Sequence, residues 1–297
     1  MALGPYLLLA TLEGLVSAAV LALTAVGLGL VFGVMRVVNV AHGEFFMLGA
    51  VVAWAVANAV DNLLPGAPAV GFLAALAVSP LVAALVAVAV DRTILRRLDY
   101  APEAVIVATI GLGYILQQGA LSLYGPEARA VTAPFSFRVQ LPWFGYSGYK
   151  LAVIAAAALV LAGVWALLAR TKIGLVMRAT QWDRETATAF GIDTDRVYAL
   201  VFGLGAGLAA LAAVLVVPIS QAHYLMGGDP LLLSFAVVII GGLGSLRGTV
   251  IAALLIGLTD GIVGVFFAPT MGKILATLLV ALVLVFRPQG LFGRRTA

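Results

Sequence analysis

The sequence predicts an all-α, polytopic membrane protein with eight to nine transmembrane segments, some of them broken or re-entrant. Three observations lead there. Apolar residues make up 63% of the chain and charged ones 10%, with a mean hydropathy of +1.15, whereas a soluble domain carries about 25% charged residues. Apolar stretches of about 20 residues recur, the length a helix needs to cross a bilayer. The stretches do not alternate in the ten-residue pattern of a membrane barrel. No linker is long enough to separate two units, so residues 1–297 read as a single membrane domain with one charged loop at about 171–196.

The apolar segments fall at 6–34, 43–60, 68–90, 103–124, 150–169, 197–219, 231–243, 249–268 and 271–286. The first is long for one crossing, and its opening turns, with Pro5 near the start, are expected to lie along the membrane interface. Segment 231–243 is too short for about 30 Å of hydrocarbon and reads as a half-helix or re-entrant element. Just beyond it, Gly241, Gly242, Gly244 and Gly248 crowd into eight residues between two apolar segments and mark a break in a helix. Unwound backbone at membrane depth persists only inside protein or along a water-filled cavity.

Basic residues orient the chain. Arg92, Arg96 and Arg97, then Arg170, Lys172, Arg178, Arg184 and Arg196, then Arg287, Arg294 and Arg295 hold 11 of the 17 Lys and Arg, so their three regions are expected in the cytoplasm. The loops at 61–67, 125–149 and 220–230 then go outside, with the N-terminus outside and the C-terminus inside. The opening residues lack a basic region and are expected to remain in the mature protein. There is no cysteine, and His42 and His223 are too few and too far apart for a metal cage. A net charge of +4 spread over loops gives no nucleic-acid face. Lys150, Lys172 and Lys273 have no glycine-rich phosphate loop around them, so the chain has no cofactor of its own and no energy-converting site. An intramembrane enzyme would need a nucleophile–base or metal constellation, and no spacing suggests one.

The stretch RVVNVAHGEF at 36–45 places Arg36, Asn39, His42 and Glu44 together in an otherwise apolar chain. Asn39 can cap a helix beginning near Val40. Glu44 then falls in or beside the first turn, where the helix dipole favours a carboxylate. Gly43 allows another backbone or a ligand to come close. His42 and Glu44, two residues apart, face different ways on a helix. Two readings stay open: a capped turn at the cytoplasmic surface, or a helix break that presents N–H groups and polar side chains to a passing solute. Glu13 and Asp260 sit within apolar runs and either line a pathway or pair with a neighbouring helix, the second being preferred. Gln117 and Gln118 are candidates to face a cavity, and His223, in an outer loop, is expected to have no special role.

In the loop at 171–196, residues from about Thr180 to Phe190 read as a short surface helix, ended by Gly191 in the left-handed region. Asp193 or Thr194 caps the next helix, which enters the membrane near Val197. Trp182 and Phe190 are large apolar groups for a solvated connector, and apolar surface beside charge marks a docking site.

FGVMRVVNVAHGEFFMLGA at 32–50 resembles the signature of the Liv-type permeases, the membrane subunits of branched-chain amino acid ABC importers. The resemblance continues through ATIGLGYILQQ at 108–118, GLVMRATQWDRETATAFGIDTDRV at 174–197, GGLGSLRGTVIAALLIGL at 241–258 and LVFRPQGLFG at 284–293. It implies a heteromeric importer in the cytoplasmic membrane. A sister permease completes the pathway, two ATPase subunits bind the ATP, and a soluble binding protein delivers substrate. It also implies a coupling helix, with Glu185, Ala187 and Gly191 on the matching positions, Thr186 where the stricter motif has alanine, and Trp182 and Arg184 beside them. The pathway or gate is then expected at Asn39, His42, Gly43, Glu44, Gln117, Gly241, Gly242 and Gly244. Relatives carrying urea or short amides, and an ion-coupled carrier using Glu13, Glu44 and Asp260, are the alternatives.

Overall fold

The computed structural model describes residues 3–267, 271, 272, 274, 275, 278, 282 and 290–292. Most of the apolar segment at 271–286, with Lys273, Arg287, Arg294 and Arg295, lies outside them. The described residues are mostly helical, joined by loops and with one small hairpin. Its elements are α1 (Leu3–Met35), α2 (His42–Leu63), α3 (Pro68–Val90), α4 (Pro102–Tyr124), β1 (Arg138–Gln140), β2 (Gly145–Ser147), α5 (Gly148–Arg170), α6 (Lys172–Trp182), α7 (Arg184–Ala189), α8 (Thr194–Ser220), α9 (Gly228–Gly241) and α10 (Leu246–Phe266). Among the described residues, seven helices are long and apolar enough to cross a membrane: α1, α2, α3 with its extension to Leu98, α4, α5, α8 and α10.

The boundaries follow local chemistry. Pro68 and Pro102 open α3 and α4, where a missing N–H costs nothing. Thr171, Asp193 and Ser245 cap α6, α8 and α10 by accepting from the amides of Gly174, Arg196 and Gly248. Asp193 is thus the capping residue of the expected pair. α1 is one continuous helix of 33 residues, so its opening turns extend the span rather than bending onto the interface. Beyond Val90, α3 widens into a π-type turn at Asp91–Leu95 and then tightens into a 3-10 turn at Arg96–Leu98.

α1 and α8 form the centre: 78% and 72% of their apolar stretches are buried, against 17% for α4 and for α5. α10 runs antiparallel to α1, with Gly257 against Ala18 and Gly261 against Gly14. Small residues let backbones approach closely where dispersion, not water exclusion, holds helices together. Larger side chains fill the space between α2 and α8, where Phe45 meets Phe202 edge-on at 5.9 Å. At one end the hairpin pairs Val139 with Tyr146, and Arg129 bridges to Ala222. The other end holds Arg36, the arginines of 92–97, α6 and α7. These are called below the hairpin end and the basic end.

Candidate functional site

α1 stops at Met35 because Arg36 turns into the left-handed region, with φ +55°. That conformation costs a residue with a Cβ about 1–2 kcal/mol. The Arg36 guanidinium donates to the Gln181 and Trp182 carbonyls at 3.2 and 3.4 Å, groups that the end of α6 would otherwise leave open. Arg36→Gly relieves the backbone and removes this link. We expect amide exchange across α6 and α7 to rise up to about tenfold by mass spectrometry, with the rest of the chain unchanged.

From Arg36 the chain folds back beside α1. The Val40 amide donates to Thr109 Oγ1 on α4 at 3.2 Å, and the Ala41 amide donates to Asn39 Oδ1 at 3.1 Å. Asn39 is buried and forms this two-residue turn instead of capping a helix at Val40; α2 begins at His42, because the amides before it are already taken. His42 is fully buried, and its Nε2 donates to the Thr24 carbonyl at 2.9 Å. Its Nδ1 has no hydrogen-bond partner among the described residues. Thr24 lies about 16 Å back from the end of α1, at 1.5 Å per residue. α2 therefore starts deep inside the bundle, not at its surface.

At that depth α2 meets a second helix start. The backbones of Gly43 and Gly227 touch, and a Cβ on Gly43 would collide with the Gly227 carbonyl oxygen. α9 begins at the next residue, Gly228, and runs to the basic end. Two helix N-termini thus abut, with α2 running towards the hairpin end and α9 the opposite way. Glu44, in the first turn of α2, packs against Gly113 of α4, and its Oε2 is buried without a partner among the described residues. His42 faces α1 and Glu44 faces α4, as their spacing predicts. Gln117 is half-buried one turn beyond Gly113. Gly241 ends α9 against the backbone of Gly248, and Gly242 and Gly244, at φ +98° and +80°, make the turn into α10. The expected pathway residues therefore form two groups, one at each end of α9, about 21 Å apart.

The surface helix expected over 180–190 is two helices broken at Asp183. Asp183 accepts from the Thr186 hydroxyl and from the Glu185 and Thr186 amides. The Thr186 hydroxyl first, then the Thr186 amide, hold its carboxyl below the usual range, so the cap stays charged well into mild acid. The signal, an aspartate three residues before a threonine, stands in DRET. Gly191 ends α7 at φ +83°, with the Ile192 amide on the Ala187 carbonyl and the Gly191 amide on that of Thr188.

The five expected coupling residues divide by face. Trp182, Glu185 and Gly191 are exposed, as is the neighbouring Phe190, while Ala187 is buried and Arg184 turns inward. The Arg184 guanidinium pairs with Asp195 at 3.4 Å and lies 5.2 and 5.0 Å from the rings of Tyr100 and Tyr198. Asp195 also pairs with Arg96 at 3.0 Å. Burial first, then the neighbouring Asp91 and Asp195, push the Tyr100 phenol up and keep it neutral. α7 is thereby tied to the basic ends of both α3 and α8.

Two cavities flank the buried junction. One, of about 440 Å³, opens towards the hairpin end between α1, the end of α8, the turn into α9 and α10; Thr24, Phe46 and Met226 lie within it. Glu13, His223, Asp229 and Asp260 also line it. Glu13 is paired with Lys150 at 2.7 Å and Asp260 accepts from Ser17 at 3.1 Å, so both carboxylates pair with a neighbour and line a cavity at once. His223, expected to be idle, is part of the lining; nothing in its sequence setting says that its loop turns back into the bundle. The other cavity, about 600 Å³, is at the basic end and lined by Arg36, Arg178, Gln181, Trp182, Gly244 and Phe292. Along α1 the two are separated by the stretch 25–35, buried except at Phe32 and Gly33. Among the described residues no group of three or more His, Asp or Glu is placed to hold a metal.

The family model described as the permease component of branched-chain amino acid transport systems matches residues 10–285. The high-affinity branched-chain amino acid transport system permease protein BraD of Pseudomonas aeruginosa is 27% identical over 293 residues, covering 95% of this chain and 94% of that one. The corresponding permease LivH of Escherichia coli is 28% identical over 311 residues, 97% of this chain and 96% of its own. A probable LivH of Methanocaldococcus jannaschii is 26% identical over 308 residues, 95% and 91% of the two chains.

Proposed function

The chain belongs to the family of branched-chain amino acid transport permease components, and we propose that it is the membrane subunit of an ATP-driven importer that carries branched-chain or other hydrophobic amino acids into the cell. It is a transport subunit, not an enzyme. ATP is bound and hydrolysed by two partner chains, a sister permease completes the pathway, and a soluble binding protein delivers the solute. The chain forms one domain over 1–297 in the cytoplasmic membrane. The basic end faces the cytoplasm, and the hairpin end faces out. Eight spans result if segment 271–286 crosses, with α9 as a ninth, half-length element.

The observation that carries the reading is the connection from surface to centre. Arg36 grips the end of α6, and seven residues later the chain has entered the bundle to the Gly43–Gly227 contact. Trp182, Glu185 and Phe190 form the face that docks on an ATPase. A movement of that face is passed inwards as a rigid displacement, because interior packing yields in discrete steps, not gradually. Asn39, His42, Gly43, Glu44 and Gln117 belong to the gate at the centre, and Gly241, Gly242 and Gly244 to the hinge between α9 and α10.

The test is reconstitution in sealed vesicles. With ATPases, sister permease and loaded binding protein present, leucine uptake is expected to require ATP and to stop when any one component is left out. Uphill uptake by this chain alone, driven by an ion gradient, would instead establish the ion-coupled carrier. A binding protein that takes urea or amides and no amino acid would move the assignment to that branch of importers.

A further inference from the structure

We propose that the cavity at the hairpin end is a solute site within this subunit, and that it selects an apolar solute bearing a primary ammonium group, held at Asp260. The inference rests on the importer reading and adds to it the chemistry and place of recognition.

The cavity's volume, about 440 Å³, is in the range of small-molecule sites. Its lining is two-sided. Val16, Val20, Phe46, Val216 and Leu233 form an apolar wall. The polar side carries three carboxylates, Glu13, Asp229 and Asp260, together with one imidazole, His223. Lys150 neutralises Glu13, holding both of its oxygens at 2.7 and 2.8 Å. Asp229 stands in the first turn of α9, against the positive end of that helix. Asp260 lies in the second half of the apolar helix α10, and among the described residues its hydrogen-bond donor is one neutral hydroxyl, Ser17 at 3.1 Å. A carboxylate offers about four acceptor positions, and inside a membrane domain it is costly unless a cation shares its surroundings. An ammonium group has three donors and one positive charge, which fits that requirement. An uncharged amide or urea lacks the charge, and a carboxylic acid without an amine adds charge of the wrong sign. A branched or linear aliphatic chain on the same solute then lies against the valines and Phe46. A site for bare metal cations would not need that wall.

The chain has no cysteine, so one introduced thiol is the sole maleimide site on this subunit, which is isolated after labelling. Ser220, exposed at its rim, is replaced by a close isostere in Ser220→Cys. In the assembled complex in vesicles without ATP, labelling of this thiol by a water-soluble maleimide is followed. Millimolar leucine and 3-methylbutylamine are expected to slow labelling at least threefold, and 4-methylpentanoate and 4-methylpentanamide to leave it unchanged. Asp260→Asn is expected to abolish the protection, and Asp260→Glu to keep most of it, with the complex assembled in both. Equal protection by 4-methylpentanoate, no protection by leucine, or protection that survives Asp260→Asn in an assembled complex overturns the proposal. ATP-dependent uptake in the same vesicles is scored separately. Protection without uptake counts against the importer reading and leaves the site standing; uptake without protection does the reverse.

Discussion

Gly43→Val is expected to abolish uptake, by a factor of 100 or more, in a complex that still reaches the membrane. The side chain would enter the space held by the Gly227 carbonyl oxygen. Both sides of that contact are main chain, and neither is free to retreat. His42 is fixed through its ring to the Thr24 carbonyl, and Gly227 leads straight into α9. Relief requires the two helix starts to separate by roughly an ångström or more, which shifts Glu44 from Gly113 and α9 from α1. Overpacking of this kind costs about 1–3 kcal/mol even where side chains alone must yield. Gly43→Ala is expected to have the same direction with a smaller loss, about tenfold. Immunoblots of membrane fractions separate failed insertion from failed transport. Normal uptake by Gly43→Ala would mean that the contact is not part of the moving machinery.

The second large effect is expected at α7. Six residues are far too few to hold a helix by themselves. α7 persists because Asp183 satisfies its first amides, the Gly191 turn satisfies its last carbonyls, and Arg184 clamps it to Tyr100 and Tyr198. Gly191→Val places a β-branched residue at φ +83°, where no neighbour crowds it but the backbone resists. Combined with Asp183→Ala it removes both ends of the helix. Stimulation of ATP hydrolysis by the loaded binding protein is expected to fall at least tenfold, and leucine uptake with it. Basal hydrolysis and membrane level should stay near normal. Each single change should give a partial loss. Full coupling in the double variant would show that docking uses α6 instead.

Much of this architecture is legible in the sequence. Helices written as runs of 20 apolar residues announce themselves, and the α9–α10 break was visible in four crowded glycines, because each signal is local. So was Gly191 as a terminator. Two things were not. The position of α2's start depends on where residues 36–41 go after Arg36, and that is fixed by Thr109, Thr24 and Gly227, all distant in sequence. Asn39 looked like a helix cap because its side chain does accept an amide; which amide depended on Thr109 having taken the one before. Glu13, His223 and Asp260 illustrate the second limit. A lone charge in an apolar run declares that it has a purpose, but a cavity between four elements is a property of packing that no local window contains.

The junction at 36–45 also dictates an order of assembly. Apart from the Thr24 carbonyl that holds His42, the partners described above are made later: Thr109, the Gln181 and Trp182 carbonyls, Phe202 and Gly227. While the ribosome is still producing α3, the Val40 amide has no Thr109 hydroxyl to accept from it, and lipid cannot do so. The stretch must wait at the aqueous face and sink inwards only once α8 has been delivered. A nascent chain halted before α8 should therefore leave residues 36–45 open to water-borne reagents that the finished subunit excludes.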